Sequence, residues 1–350
     1  MLVKSKRIEY IDSAKAIGIG LVVLGHLTLP EALHNWIYAF HMPLFFILSG
    51  LTFRTEPFSK FLKKRAFSIL LPYVLFSLLM LAKDIVKILI GSNPSAILRV
   101  VKIRIPAIFI ALQNSRYSAG IYWFLPCLFV AELLLYALVK RFKDNKAAVF
   151  GVAAAVGISG AALDHFFDYS LPFCLDVALF SLVFLAFGYA AKEKLNGFIQ
   201  QPSKPKRLCA CTVLLAIGTG GAALNARVSK SSLELSVGEY ANIAFTLIGA
   251  FGLSLAVMLI SGFLRGKVFS YIGKNTLFIY MLHPFLLHDS VFNVAYKTAI
   301  KLVHSLLIGY IVATAVIWAA IMFICVCASF LYNPVMKKLK KLLFKEEKDD

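Results

Sequence analysis

Acidic side chains are scarce in this chain. Asp and Glu number 18 in 350 residues, against 37 Lys and Arg, and charged residues of both signs make up only 16%. Soluble domains run nearer to about a quarter charged. That shortage argues against any sizeable soluble domain, although length alone would allow two. Metal chemistry also lacks its residues. The cysteines Cys127, Cys174, Cys209, Cys211, Cys325 and Cys327 all fall inside apolar stretches, and the two Cys-x-Cys pairs have no partner ligands at metal-site spacing. No metal site is expected. Internal repeats are absent, which leaves an inverted-repeat transporter without support. A cleavable signal peptide is not expected either. The first apolar run begins near Ile8 and carries Asp12 and Lys15, which suit neither an apolar signal core nor a small-residue cleavage site.

What is present is hydrophobic length. Hydrophobic residues make up 60%, in runs of about twenty, each long enough to cross a hydrocarbon core of roughly 30 Å. The pattern predicts an all-α, polytopic transmembrane helical bundle of about ten spans: 8–29, 35–53, 66–90, 120–139, 147–163, 171–191, 208–224, 241–262, 268–288 and 305–330. The fifth and seventh are short and rich in Gly and Ala, which would allow close helix packing. Residues 1–335 form the expected transmembrane domain. Residues 336–350, basic then acidic, form the expected cytoplasmic tail.

Charge then orients the chain. The formal net charge of +19 would suit a nucleic-acid binder, but it sits in short loops between apolar runs, so lipid is the expected partner and nucleic acid is not. With the amino terminus inside, 25 of the 37 Lys and Arg fall in inside segments and 8 in outside segments. That bias places both termini in the cytoplasm. Residues 91–119 are then the longest outside segment. Their mixed apolar and basic character predicts an interfacial helix or a lid over an outward cavity.

Ionisable side chains inside spans are costly and mark functional sites by default. Span one holds Asp12, Lys15 and His26. Lys15 and His26 are separated by about three helical turns, so they share one face and lie ~16 Å apart along the axis. Asp12 is placed to pair with Lys15. Span two carries His41 and Pro43, and Pro43 is expected to free the carbonyl of Ala39. Span nine carries Lys274, Asn275 and His283. The assumed boundaries put His26, His41 and His283 at one outer depth, and Lys15, Lys274 and Arg65 at the inner side. Lys83 and Lys87 are expected to snorkel outward. Each histidine also has a bland reading as a hydrogen bond between helices, and Trp123 has one as an interfacial anchor.

These same residues resemble those of the integral-membrane acyltransferase family 3, and within it the fucose 4-O-acetylase-like group. Tyr10-Ile11-Asp12, then Lys15 and Gly25-His26, match its signature of a basic residue ten positions before a histidine. Phe40-His41-Met42-Pro43-Leu44-Phe45-Phe46-Ile47-Leu48-Ser49-Gly50 matches the second-span motif. Lys63-Lys64-Arg65 before Pro72-Tyr73, Trp123-Phe124-Leu125-Pro126, and Ile272-Gly273-Lys274-Asn275 through His283 follow in family order across nearly the whole chain. One departure is Ser68, where the family often has a second arginine.

The resemblance implies O-acyl transfer, usually of acetyl, from cytoplasmic acyl-CoA to a carbohydrate or cell-envelope glycan precursor, in a bacterial cytoplasmic membrane. It implies a catalytic group of His26, Lys15 and Asp12, and a substrate-binding set of His41, Ser49, Trp123 and His283. Lys15, Lys64, Arg65, Lys274 and Asn275 would hold acyl-CoA, the donor substrate, with no permanently bound cofactor. Such cations suit a polyanion, and ~16 Å matches the reach of an extended pantetheine arm. His26 is the expected general base, since burial favours the neutral imidazole. His41 would position the acceptor or the developing oxyanion, and Trp123 would stack on a sugar. Direct transfer and an acyl-histidine intermediate both stay open. A transporter or flippase for a lipid-linked or acylated substrate is the rival reading.

Overall fold

In hydrocarbon a backbone N–H or C=O has no water to bond, so each must be satisfied within the protein. An α-helix does this segment by segment, and the computed structural model of this chain is built from helices. It describes residues 8–91, 94–112, 118–167, 170–200, 203–229, 233–264, 266–287, 294–295, 297–299, 301–302 and 305–343. Among these residues there is no strand, only two isolated bridges, Leu112 with Ser118 and Glu234 with Glu239. The helices in chain order are α1 Glu9–Gly25, α2 Glu31–Tyr38, α3 His41–Thr52, α4 Phe58–Arg65, α5 Leu71–Ile90, α6 Ala96–Ile110, α7 Phe124–Arg141 and α8 Lys146–Phe167. After them come α9 Leu175–Ala190, α10 Lys192–Gln200, α11 Lys204–Ser229, α12 Ile243–Ser261, α13 Lys267–Lys274, α14 Thr276–Leu286 and α15 Leu306–Leu343.

Among the described residues, seven helical segments are long and apolar enough to cross a membrane: Phe58–Ile90, Gly120–Arg141, Lys146–Leu163, Pro172–Ala190, Lys204–Ser229, Ile243–Ser261 and Leu306–Leu343. They correspond to the third through eighth and the tenth expected spans. The other three expected spans have a different build. Residues 8–29 form α1, only 17 residues long. Residues 35–53 divide between α2 and α3 at Phe40, whose φ of −145° and ψ of −17° are not helical. Residues 268–288 divide between α13 and α14 at Asn275. The irregular backbone expected around Pro43 is thus a break between two helices. A new helix starts at His41, so Pro43 lies in its first turn, where a backbone N–H has no intrahelical role. The last helix runs on through Leu343, past the expected boundary at 336. Residues 344–350 of the tail lie outside the described residues.

Contacts divide the chain into two compact units, Met1–Leu29 with Arg265–Asp350, and Pro30–Leu264. In the first, α1 packs on α13, α14 and α15. In the second, α3 and α7 pack on α9, α8 on α9, and α11 on α12. Small residues set the second unit's spacing. A Cβ added at Gly50 would overlap the Leu185 carbonyl, one at Gly188 the Ile47 carbonyl, and one at Gly157 the Val183 side chain. One at Gly252 would lie 2.7 Å from Gly218 Cα, and one at Gly221 2.8 Å from the backbone nitrogen of Gly249. The close packing expected of the Gly/Ala-rich runs is thus present in α8 and α11. Several polar side chains inside this unit have partners within it. Asn225 donates to Thr246 Oγ1 at 3.0 Å and accepts from the Asn242 backbone N–H at 2.9 Å. Arg207 is buried, donates to the Ile199 carbonyl at the end of α10, and covers the Phe263 ring at 4.0 Å.

The α3–α9 crossing leaves no room for a methyl group on either side. Gly50→Ala or Gly188→Ala should destabilise the protein by about 1–3 kcal/mol, read as a lower unfolding midpoint in detergent. Unchanged midpoints for both variants would refute the close backbone approach.

Candidate functional site

The first unit carries four of the expected groups on α1 and α14: Asp12, Lys15, His26 and His283. Helix α1 ends at Gly25, and His26 is its C-cap residue. The Val22 carbonyl accepts twice from His26, from the backbone N–H at 3.2 Å and from ring Nδ1 at 2.8 Å. A carbonyl only accepts, so Nδ1 must carry the proton. In the neutral ring Nε2 then holds the lone pair. His283 repeats the geometry, with Nδ1 donating to the Ile279 carbonyl at 3.1 Å. The two rings meet edge to face, 5.1 Å between centroids at an interplanar angle of 63°. His283 is fully buried, and its Nε2 has no hydrogen-bond partner among the described residues. Of the three histidines expected at one depth, His26 and His283 thus meet ring to ring within this unit.

The other end of α1 meets α13. A Cβ at Gly273 would overlap the backbone carbonyl of Asp12, so the two backbones touch there. Lys274 follows Gly273, and Lys15 lies about one turn beyond Asp12. The two lysines flank one helix crossing, Lys15 half-buried and Lys274 exposed. Helix α15 braces this arrangement. Trp318 Nε1 donates to the Gly20 carbonyl at 2.8 Å, and the Tyr310 hydroxyl donates to the Thr28 carbonyl. Tyr271 stacks on Phe330 and Phe278 on Tyr332, at 5.0 and 4.3 Å. Asn275, expected to bind acyl-CoA, is buried and serves the fold. Its Nδ2 donates to the Tyr271 carbonyl and its Oδ1 accepts from Asn333 Nδ2, both at 2.8 Å.

The second unit carries the remaining groups. His41 begins α3, is buried, and donates from Nδ1 to the Ile37 carbonyl at 2.9 Å. Its ring lies 4.7 Å from that of Tyr38, which stacks on His34 at 3.9 Å. A neutral His41 held this way accepts at Nε2 but cannot donate from it. Of its two expected roles, only holding an acceptor hydroxyl fits the neutral ring. Ser49 lies half-buried on α3. Trp123 is buried at the start of α7, while its neighbour Tyr122 lines a cavity of about 230 Å³ with Tyr73, Ser77, Arg104 and Ile108. Helix α6, from the segment expected to be an interfacial helix or lid, forms one wall of that cavity. Tyr73 fixes this wall by donating to the Ile108 carbonyl at 3.0 Å.

The basic run ending α4 is partly neutralised. Lys64 bonds both carboxylate oxygens of Glu56, at 2.7 and 2.5 Å. Arg65 Nε lies 2.8 Å from Glu132 Oε2. Glu132 and Asp176 escaped the sequence reading. Each is a buried carboxylate within an apolar helix, and that placement was the available signal. Asp176 lies in the first turn of α9, where the helix dipole favours an anion.

A family model described as an acyltransferase domain matches residues 8–333. No curated protein and no solved structure matches the chain.

Asn333→Ala would leave the buried Oδ1 of Asn275 without its donor. Such a loss costs about 1–3 kcal/mol, and the expected drop in unfolding midpoint checks the α14–α15 contact.

Proposed function

The chain belongs to the acyltransferase family 3, and on that premise we propose that it is a membrane O-acyltransferase moving an acyl group from acyl-CoA to a hydroxyl. The finer reading is acetyl as the group, cytoplasmic acetyl-CoA as donor and a carbohydrate or cell-envelope glycan precursor as acceptor, as in the fucose 4-O-acetylase-like group. It includes ten spans, both termini in the cytoplasm, and a bacterial cytoplasmic membrane.

One observation carries the chemistry. The bond from Nδ1 of His26 to the Val22 carbonyl leaves Nε2 as the basic nitrogen of the neutral ring. A general base needs that lone pair aimed at the hydroxyl it activates. In direct transfer the acceptor oxygen attacks the thioester carbonyl and His26 Nε2 takes the hydroxyl proton. A C–O bond forms, the C–S bond breaks, and the proton passes from His26 to the departing thiolate. Lys15 and Lys274 are suited to the phosphates of the donor, and Lys15 stands ~16 Å from His26 along the helix axis, within reach of an extended pantetheine arm. Arg65, in the second unit, is likewise suited by charge and shape to a phosphate. The lone pairs of His41 and His283 suit accepting hydrogen bonds from acceptor hydroxyls. The developing oxyanion needs donors other than these neutral histidines.

The test is purified protein with labelled acetyl-CoA and a glycan acceptor mixture. His26→Ala, folded and inserted, should lose about 10²–10⁴-fold in transfer rate while still being stabilised thermally by CoA. Transfer at near the wild-type rate would show that His26 is not the base. Vesicle uptake without ester formation would favour transport instead.

A further inference from the structure

We propose that Glu132 is a positioning residue for Arg65, holding its guanidinium by Nε so that the two terminal amino groups face a phosphate of acyl-CoA. The proposal rests on the reading of Arg65 as a donor-binding residue and adds the group that aims it.

Three contacts build the frame, all within the second unit. Glu132 Oε2 lies 2.8 Å from Arg65 Nε, and the carboxylate side chain is only 3% exposed against 28% for the arginine. The guanidinium carbon also lies 5.3 Å from the Phe61 ring centroid. Phe61 stacks on Tyr136 at 4.7 Å, and the Tyr136 hydroxyl donates to the Glu56 carbonyl at 2.9 Å. Phe61 and Arg65 are four apart on α4, as Glu132 and Tyr136 are on α7. Residues four apart share a helix face, so two side-chain pairs from two helices lock together. Directly after Arg65 the backbone widens into a π-helical turn, Ala66–Leu70. Such turns are rare and often mark functional positions.

The chemistry follows from the donor inventory. A guanidinium has five N–H groups in a fixed fork. Glu132 forms an ion pair against the Nε side of the guanidinium, outside hydrogen-bond geometry, which leaves the Nη pair as a planar edge suited to bidentate phosphate recognition. The carboxylate is shielded and the arginine is not, so an anion meets the arginine first. A buried pair kept only for structure is weak evidence of stability, since apolar replacements often match it. An oriented fork supplies a separate reason for a carboxylate in an apolar helix.

The experiment compares two donors on the full chain in detergent, acetyl-CoA and S-acetyl-pantetheine, which lacks phosphates. Glu132→Ala should lower kcat/KM for acetyl-CoA roughly tenfold, mainly through KM, consistent with a weakened charge-assisted contact. Turnover of acetyl-pantetheine should stay unchanged. Glu132→Gln keeps the shape but removes the charge of the ion pair and should show the same loss on acetyl-CoA alone. The double variant with Arg65→Ala should be no worse than Arg65→Ala alone. Equal losses on both donors, or none on either, would overturn the proposal. Should Glu132→Ala not fold, Glu132→Asp keeps the charge on a shorter arm and carries the same comparison, with loss on acetyl-CoA alone expected. If the unaltered protein turns over but Arg65→Ala leaves the KM for acetyl-CoA unchanged, the inference fails while acyl transfer stands. If the unaltered protein neither binds CoA nor transfers acetyl, the functional reading fails first and the inference with it.

Discussion

Backbone-to-backbone contact at glycine is the constraint on which these helices depend. Lipid tails are as apolar as leucine, so helices gain nothing hydrophobic by leaving lipid for each other. Association rests on close packing, and small residues let carbonyls and Cα atoms of facing helices approach. Gly273 meets the Asp12 carbonyl in one unit, and Gly50 and Gly188 meet the Leu185 and Ile47 carbonyls in the other. The short helices need this most. Helices α3, α13 and α14 have 12, 8 and 11 residues, at or below the lower end of the roughly 12–15 at which isolated helices become even marginal in water. Their ends, including the breaks at Phe40 and Asn275, are held by protein. Ser254 donates to the Phe40 carbonyl at 3.4 Å, and Asn275 serves two partners.

The same breaks shape the chemistry. His26 lies at the end of a helix, His41 at a beginning, and His283 near the end of a short one. All three use Nδ1 on the carbonyl four residues earlier. That local bond fixes each tautomer without a second residue, so no carboxylate has to enter hydrocarbon beside the ring. It also sorts roles. A neutral histidine so held is a base or an acceptor at Nε2 and never a donor there. Positive charge at an oxyanion must come from elsewhere in the protein.

Much of this was legible in the sequence. Seven apolar runs could be placed because a window of about twenty apolar residues has few other outcomes. Assigning depth along each run put His26, His41 and His283 at one level, but the ring contact of His26 with His283 came only from the structure. The breaks were not legible, because hydropathy averages over them: Phe40 and Asn275 lie inside runs that score as continuous. Pro43 pointed to irregularity but not to its form, since a proline in a first turn and a proline in a helix middle look alike without a known start. Asn275 looked like a ligand because a polar residue in an apolar run has two explanations. Its actual partner, Asn333 on α15, lies far along the chain.

Glu132 shows the limit most clearly. A single carboxylate among eighteen helical residues leaves the apolar window intact, so the run still reads as a plain span. The cluster Lys63-Lys64-Arg65 read as three cations for a polyanion. In the structure, Glu56 binds Lys64 and Glu132 binds Arg65, so the field at that end is weaker than the residue count implies. Coulombic attraction alone then recruits a polyanion less well. On the proposed reading geometry gains in importance: a planar fork with a buried carboxylate against its Nε side would select a tetrahedral oxyanion by shape as well as charge. Pairing that weakens the general field thus strengthens discrimination, and only a structure that brings α4 against α7 makes that exchange visible.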